Sequence, residues 1–163
     1  MKIQKLDKSA AVLTGIACLA LLVKLPVWAI FIGWAWYFAL GAEPVVFKKA
    51  IPPMLLGYVM AAVSIFLYTL NNNSLLILCG SVMITLFIIM LSLKMPMFSH
   101  SLASFSAYSC MFAGYYAVIL PQMESGSLNI INLLICIGWL AVSNVIGLLF
   151  GFLSAKLGRI SEN

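Results

Sequence analysis

The stretch FSHSLASFSAYSCMFAGYY, residues 98–116, determines how the rest of the sequence is interpreted. It is long and apolar enough to cross a bilayer, yet it is the most polar segment of that kind, and it holds the only histidine, His100. On a helix at about 100° per residue its side chains fall on three faces, for which we expect a cavity, a neighbouring helix and lipid, respectively. Hydroxyl groups facing lipid would cost free energy, so this helix must be interior to a bundle. The faces are His100, Ser101, Ser104, Tyr108, Met111 and Tyr115; Ser99, Ala103, Ser106, Ala107, Cys110 and Gly114; and Leu102, Phe105, Ser109, Phe112 and Tyr116.

The composition is typical of an integral membrane protein. Hydrophobic residues make up 64% of the chain, charged residues 8%, and the mean hydropathy is +1.15. Soluble domains contain about 45–50% apolar and about 25% charged residues. With 163 residues and spans of about 20 residues each, we expect one multi-pass domain covering residues 1–163. The net charge of +5 comes mostly from lysines scattered between apolar runs, which does not predict nucleic-acid binding.

Six apolar runs predict an all-α bundle of six transmembrane helices. The polar sequence Asn71-Asn72-Asn73-Ser74 is typical of a turn between antiparallel helices. The first run follows lysines, as in a signal peptide, but Lys24 directly after it favours a first span. An alternative with five spans stays open, in which the two short N-terminal runs form one span or one of them does not cross the membrane. The six spans are residues 9–23, 26–42, 53–70, 75–93, 99–120 and 128–157.

The distribution of basic residues predicts the orientation. With six spans and both termini in the cytoplasm, eight of the nine basic residues lie on the inner side and only Lys24 lies outside. This agrees with the excess of lysine and arginine in cytoplasmic loops of membrane proteins. The inner residues are Lys2, Lys5, Lys8, Lys48, Lys49, Lys94, Lys156 and Arg159.

Small residues form a stripe along the sixth span. Asn144, Gly147, Gly151, Ser154 and Gly158 recur at intervals of three and four residues, and the stripe contains a Gly-x-x-x-Gly step. Such stripes let helix backbones approach closely, either within one subunit or between subunits of a homo-oligomer. We interpret Asn144 as a hydrogen-bonding tie between helices.

A weak internal similarity is compatible with an inverted repeat of three plus three spans. An offset of 74 residues carries Phe38-Ala39 in the second span onto Phe112-Ala113 in the fifth. Two halves with an odd number of spans would have opposite orientations in the membrane, as in many transporters.

The side chains expected in the spans do not predict catalysis. The cysteines lie in apolar runs without a C-x-x-C pair, so we expect buried free thiols that pack as small apolar groups. No nucleophile with a base, phosphate loop or pair of metal ligands is recognisable, so we expect no enzyme, cofactor or metal site. Glu43 and Glu124 fall in loops, which favours a passive pathway over a coupled pump. The cysteines are Cys18, Cys79, Cys110 and Cys136.

The polar face of the fifth span gives the leading functional hypothesis, a channel or facilitator for a small solute. Its lining residues would be His100, Ser104, Tyr108 and Tyr115, whose polar groups would replace water around the solute. In one alternative this face only forms hydrogen bonds with adjacent helices.

Two further hypotheses use other residues. A membrane scaffold or accessory subunit would bind another helix through the stripe around Gly147. In a third hypothesis the protein binds a soft metal ion, because thioether, imidazole and thiolate groups suit Cu(I). Its ligands would be Met95, Met97, His100 and Cys110.

Three stretches resemble, in the same order, a family of small bacterial inner-membrane proteins. These stretches are WAIFIGWAWYFALG at residues 28–41, SFSAYSCMFAG at residues 104–114 and IGLLFGF at residues 146–152. They resemble the YcdZ-like proteins, a family catalogued as a domain of unknown function. The resemblance implies a bacterial inner-membrane location and a compact multi-pass bundle, and it assigns neither a substrate nor functional residues.

Overall fold

The computed structural model describes residues 5–119, 121 and 130–160 of the chain. Lys2 and Glu124, and the side chains of Lys5, Lys8 and Arg159, lie outside this described part.

Within the described residues the protein is entirely helical, with six α-helices and no strand, which confirms the predicted all-α class. A 3-10 segment, Leu19–Val23, continues α1, and a π-helical segment, Tyr115–Ile119, continues α5. A short 3-10 segment, Pro96–Phe98, precedes α5. The helices are α1 Lys5–Cys18, α2 Val27–Ala39, α3 Val46–Leu70, α4 Leu75–Ser92, α5 Ser101–Gly114 and α6 Ile130–Ile160.

Among the described residues, three stretches are helical, long and apolar enough to cross a membrane: Val46–Leu70, Leu75–Ser92 and Ile130–Gly158. Two further apolar helical stretches, Ser9–Val23 and Val27–Ala39, are shorter.

Helix α3 begins at Val46, well before residue 53, where the third span was predicted to start. Pro52 and Pro53 therefore lie inside the helix. Proline withholds a hydrogen bond from the carbonyl group four residues earlier. Here those carbonyls belong to Lys48 and Lys49, in the first turn of a helix whose apolar face continues for five more turns.

The turn between α3 and α4 has the predicted position. Asn72 and Asn73 both adopt left-handed backbone conformations, with φ of 51° and 57°. Asparagine tolerates this region better than most residues because its short polar side chain bonds locally. The amides of Asn71 and Asn73 both donate to the Tyr68 carbonyl oxygen, and this closes the end of α3.

The chain divides into two compact units, Met1–Phe47 with Val142–Asn163, and Lys48–Ala141. In the first unit, α1, α2 and the C-terminal part of α6 enclose an apolar core. Trp34 stacks on Phe150 with ring centroids 5.5 Å apart. The core residues are Leu13, Ala17, Ile30 and Trp34, with Ala10, Ala20, Ile146 and Phe150 packed around them.

The second unit holds most of α3, the helices α4 and α5, and the start of α6. Helix α3 buries one stripe, Met54, Tyr58, Ala61 and Ile65, at the helical spacing of four, three and four residues. Helix α4 buries only Ser81, Thr85 and Ile89, which are one turn apart. Its other side chains are half-buried or exposed, so α4 is a peripheral helix of this unit.

Candidate functional site

From Ala103 onward the exposure of the α5 side chains follows the three faces expected from the sequence, whereas Ser101, at the start of the first face, is exposed. Ser104 and Tyr108 on the first face and Ala107 on the second are buried. Phe105 and Ser109 on the third face are exposed. The polar first face of this helix therefore packs against protein at Ser104, Tyr108 and Met111.

The Tyr108 hydroxyl group meets two other hydroxyl groups in the second unit. Its oxygen lies 2.9 Å from Ser64 Oγ on α3 and 2.9 Å from Thr85 Oγ1 on α4. These two oxygens are also 2.9 Å apart, so the three form a triangle. The exposed fractions of Ser64, Thr85 and Tyr108 are 0%, 4% and 6%. We call these three residues the hydroxyl cluster.

The protons of the hydroxyl cluster can be arranged in more than one way. Each hydroxyl group carries one proton and can also accept. Ser64 and Thr85 lie within hydrogen-bonding distance of main-chain carbonyl oxygens in their own helices as well as of each other. The cluster therefore has more close oxygen–oxygen contacts than protons. Each group can switch between donor and acceptor without a change of charge.

The sequence predicted only one member of this cluster. Tyr108 was expected on the polar face, whereas Ser64 and Thr85, which contact it, were not among the expected lining residues. Each is a hydroxyl residue within an otherwise apolar stretch of a long helix, at residues 60–67 of α3 and residues 82–91 of α4. An isolated hydroxyl group in such a helix needs a partner, because burying it unpaired costs about 1–3 kcal/mol. That requirement was the available signal.

Ser104 lies one turn before Tyr108 but uses its side chain within its own helix. Its Oγ donates to the Ser101 carbonyl oxygen at 3.1 Å. Its main-chain carbonyl oxygen lies against the Cα of Gly57 on α3, where any Cβ would collide with it. Ser104 therefore marks a close crossing of α3 and α5.

The other two residues of the predicted lining are not brought into the hydroxyl cluster. His100 is half-buried and stands at the N-cap of α5 without a side-chain capping bond. It is eight residues before Tyr108, or about 12 Å along a helix axis. Tyr115 is buried in the π-helical segment, about 10 Å beyond Tyr108 on the same measure.

In the first unit, the small-residue stripe of α6 packs against α2 of the same chain. A Cβ on Gly147 would lie 2.7 Å from the Trp34 main-chain nitrogen. A Cβ on Gly151 would collide with the Tyr37 side chain. Ser154 is buried and donates to the Phe150 carbonyl oxygen at 2.8 Å. The stripe therefore has a partner within the chain.

The cysteines divide into two pairs, and the expectation that all four are buried was wrong for two of them. Cys110 and Cys136 are buried, whereas Cys18 and Cys79 are exposed. The exposed pair lies on outward faces of apolar helical stretches. The prediction failed for this pair because an apolar sequence does not distinguish a thiol on the outer face of a helix from a thiol in the core.

The side chains considered for copper do not form a compact group. Met95 and Met97 are exposed, whereas Cys110 is buried and follows His100 by ten residues, about 15 Å on a helix. Among the residues that the structure describes, no group of three or more His, Cys, Asp or Glu side chains is placed to hold a metal ion.

Comparison with known proteins places most of the sequence in one family. The family model described as "Protein of unknown function (DUF1097)" matches residues 9–159. No curated protein and no solved structure matches the chain. The expectation of a family of unknown function is confirmed, and the narrower YcdZ-like assignment stays a prediction.

Proposed function

Because the chain belongs to DUF1097, a family of proteins of unknown function, we propose its function from the geometry. In this proposal it is a multi-pass protein of a bacterial inner membrane that conducts a small uncharged solute past the hydroxyl cluster. Three helical stretches of sufficient length and apolarity support the membrane location. The distribution of lysines supports six spans with both termini in the cytoplasm.

The meeting of Tyr108 with Ser64 and Thr85 is the observation that carries this proposal. Three separate helices each place one hydroxyl group at the same buried point. A dehydrated solute needs such groups to replace its water, and they must hold it weakly enough to release it. In the structure the three groups satisfy one another, so we interpret it as the closed state.

The chemistry of the cluster favours an uncharged solute with both hydrogen-bond donors and acceptors. Hydroxyl groups supply either role. Apart from tyrosine, tryptophan and cysteine, the buried side chains with polar groups among the described residues are all serine, threonine or asparagine. Without an ionisable carboxylate or a basic group among them, the described interior offers no evident site for coupling to protons or sodium. Passive conduction of a small polyol or amide fits these groups best.

Solute flux into liposomes that contain the purified protein tests this proposal. Glycerol and urea entry would be followed by light scattering for the wild type, Tyr108→Phe and Thr85→Val. We expect the solute flux of the wild type to exceed that of empty liposomes. We expect the flux of each variant to differ from that of the wild type by at least severalfold. Ser109→Ala is the matched control, because Ser109 is an exposed hydroxyl residue on the same helix. The absence of flux for every solute in the panel would contradict a channel.

A scaffold or accessory subunit is the second candidate, and the outer face of α4 favours it. Only 17% of the residues of α4 are buried, and its exposed side chains include Met83, Ile84 and Phe87. This surface is available to lipid or to a partner helix, whereas the stripe around Gly147 packs against α2. Crosslinking in native membranes separates the candidates. A stoichiometric foreign partner favours the scaffold, and a homo-oligomer alone favours the channel.

A further inference from the structure

An apolar groove runs along the first half of α3 in the second unit. It has a volume of about 340 Å³. Leu55 and Val59 remain 44% and 48% exposed, so the groove opens at the surface. No side chain in its lining is charged or carries a hydrogen-bonding group. The lining residues are Pro52, Leu55, Leu56, Val59, Met97 and Phe98.

Along the chain, lysine residues precede the segments that form both walls of this groove. Lys48 precedes Pro52 by four residues on α3, so the two lie on one face of the helix, and Lys49 is its neighbour. On the opposite wall, Lys94 precedes Met97 by three residues. Main-chain hydrogen bonds from Lys94 to Leu91 and from Phe98 to Met95 hold this segment in a tight turn.

The positive charge beside the groove is uncompensated within the described residues of the second unit. Lys48 and Lys94 are exposed and Lys49 is half-buried. The described part of this unit contains these three lysines and no aspartate or glutamate. Long lysine side chains keep their ammonium groups in the polar layer while their methylene stems lie along apolar surface. The groove therefore has an apolar body with basic groups at its margin.

We propose that this groove binds an anionic phospholipid, with Lys48, Lys49 and Lys94 contacting the phosphate group and the apolar walls holding an acyl chain. Basic pockets between membrane helices recognise anionic headgroups through such charge complementarity. The proposal does not depend on conduction through the hydroxyl cluster, because it uses a different surface of the unit.

A second groove of the same unit provides an internal comparison. It has a volume of about 240 Å³ and is also apolar. No lysine lies among its lining residues, so it offers space for a chain without a preference for charge. Its lining residues are Val59, Ala62, Val63, Phe66, Ile130, Leu133, Leu134 and Ile137.

Native mass spectrometry of the full chain in detergent tests the charge preference. Dioleoyl phosphatidylglycerol and dioleoyl phosphatidylcholine would be titrated separately, and the bound fraction measured. We expect at least tenfold tighter binding of phosphatidylglycerol to the wild type. In the variant K48Q/K49Q/K94Q we expect this preference to disappear, because each lysine near the headgroup strengthens binding of the anionic lipid roughly fivefold. The control K24Q/K156Q, which neutralises two exposed lysines elsewhere, should keep it.

Two tryptophan substitutions test the groove itself. Leu55→Trp fills the groove from an exposed position and should weaken phosphatidylglycerol binding at least tenfold. Val63→Trp fills the comparison groove and should leave that binding unchanged. Glycerol 3-phosphate, which carries the charge without the chain, should not displace the lipid. The proposal is overturned by equal binding of the two lipids, by full displacement with glycerol 3-phosphate, or by unchanged binding in Leu55→Trp.

Discussion

The side-chain amide of Asn144 on α6 donates a hydrogen bond of 2.6 Å to the main-chain carbonyl oxygen of Ala29 on α2. One turn further along α2, Gly33 lies so close to the Asn144 backbone that a Cβ would be 2.7 Å from the Asn144 carbonyl carbon. The absence of a side chain at Gly33 therefore brings the two helices into the range of this bond. Close packing and hydrogen bonding act at the same place.

The contribution of this bond can be measured with Asn144→Leu, which keeps the side-chain size and removes the amide. Hydrogen bonds between membrane helices contribute about 0.6–1.7 kcal/mol. We expect a fall of roughly 2–4 °C in the thermal unfolding midpoint in detergent. Asn132→Leu is the matched control, because Asn132 is exposed on the same helix and should change the midpoint little. Equal midpoints for both variants would mean that the tie contributes no net stability.

Gly147→Ala should be more damaging than its single added methyl group implies. The new Cβ would meet main-chain atoms of Ile30 and Trp34, which cannot rotate away. Overpacking of this kind costs about 1–3 kcal/mol, and we expect a lower unfolding midpoint. Gly138→Ala on the same helix meets no atom within 4 Å and should be neutral or stabilising. If the stripe instead bound a second copy, Gly147→Ala would alter the oligomeric state of the protein without altering the unfolding of the monomer.

The hydroxyl cluster should behave as one unit in a double-mutant cycle. Tyr108→Phe and Thr85→Val each remove one hydroxyl group, and each should cost about 1 kcal/mol of unfolding free energy. Since the two groups bond to each other and to Ser64, the double variant should cost less than the sum of the single changes. Additive costs, measured by unfolding in detergent, would show that Tyr108 and Thr85 act independently.

The proposed orientation predicts which sites a membrane-impermeant maleimide reaches. In a variant with all four cysteines replaced by alanine, we expect Asn72→Cys to react in intact cells. Lys94→Cys and Lys156→Cys should react only after the membrane is permeabilised. Asn72, Lys94 and Lys156 are exposed, so packing does not limit their labelling. Reaction of Asn72→Cys and Lys94→Cys from the same side would contradict six spans with cytoplasmic termini.

The sequence by itself determined the helical class and which faces of the fifth helix are buried or exposed. Composition limits an apolar chain to structures that satisfy their own backbone hydrogen bonds. Helical periodicity is a local property, so the buried positions of Ser104 and Tyr108 and the exposed position of Phe105 follow from their spacing alone. The turn at Asn72 could be predicted for the same reason, because its backbone conformation depends on neighbouring residues.

Only the tertiary structure decided which surfaces meet. Periodicity identifies a polar face on one helix but carries no information about the helix opposite it, so Ser64 and Thr85 became visible only as partners of Tyr108. The small-residue stripe at Gly147 fits a helix of the same chain or of another copy equally well, and the fold places α2 against it. The exposed Cys79 and the buried Cys136 likewise have similar apolar neighbours in sequence. Their environments differ because packing between helices depends on contacts between residues far apart in the chain.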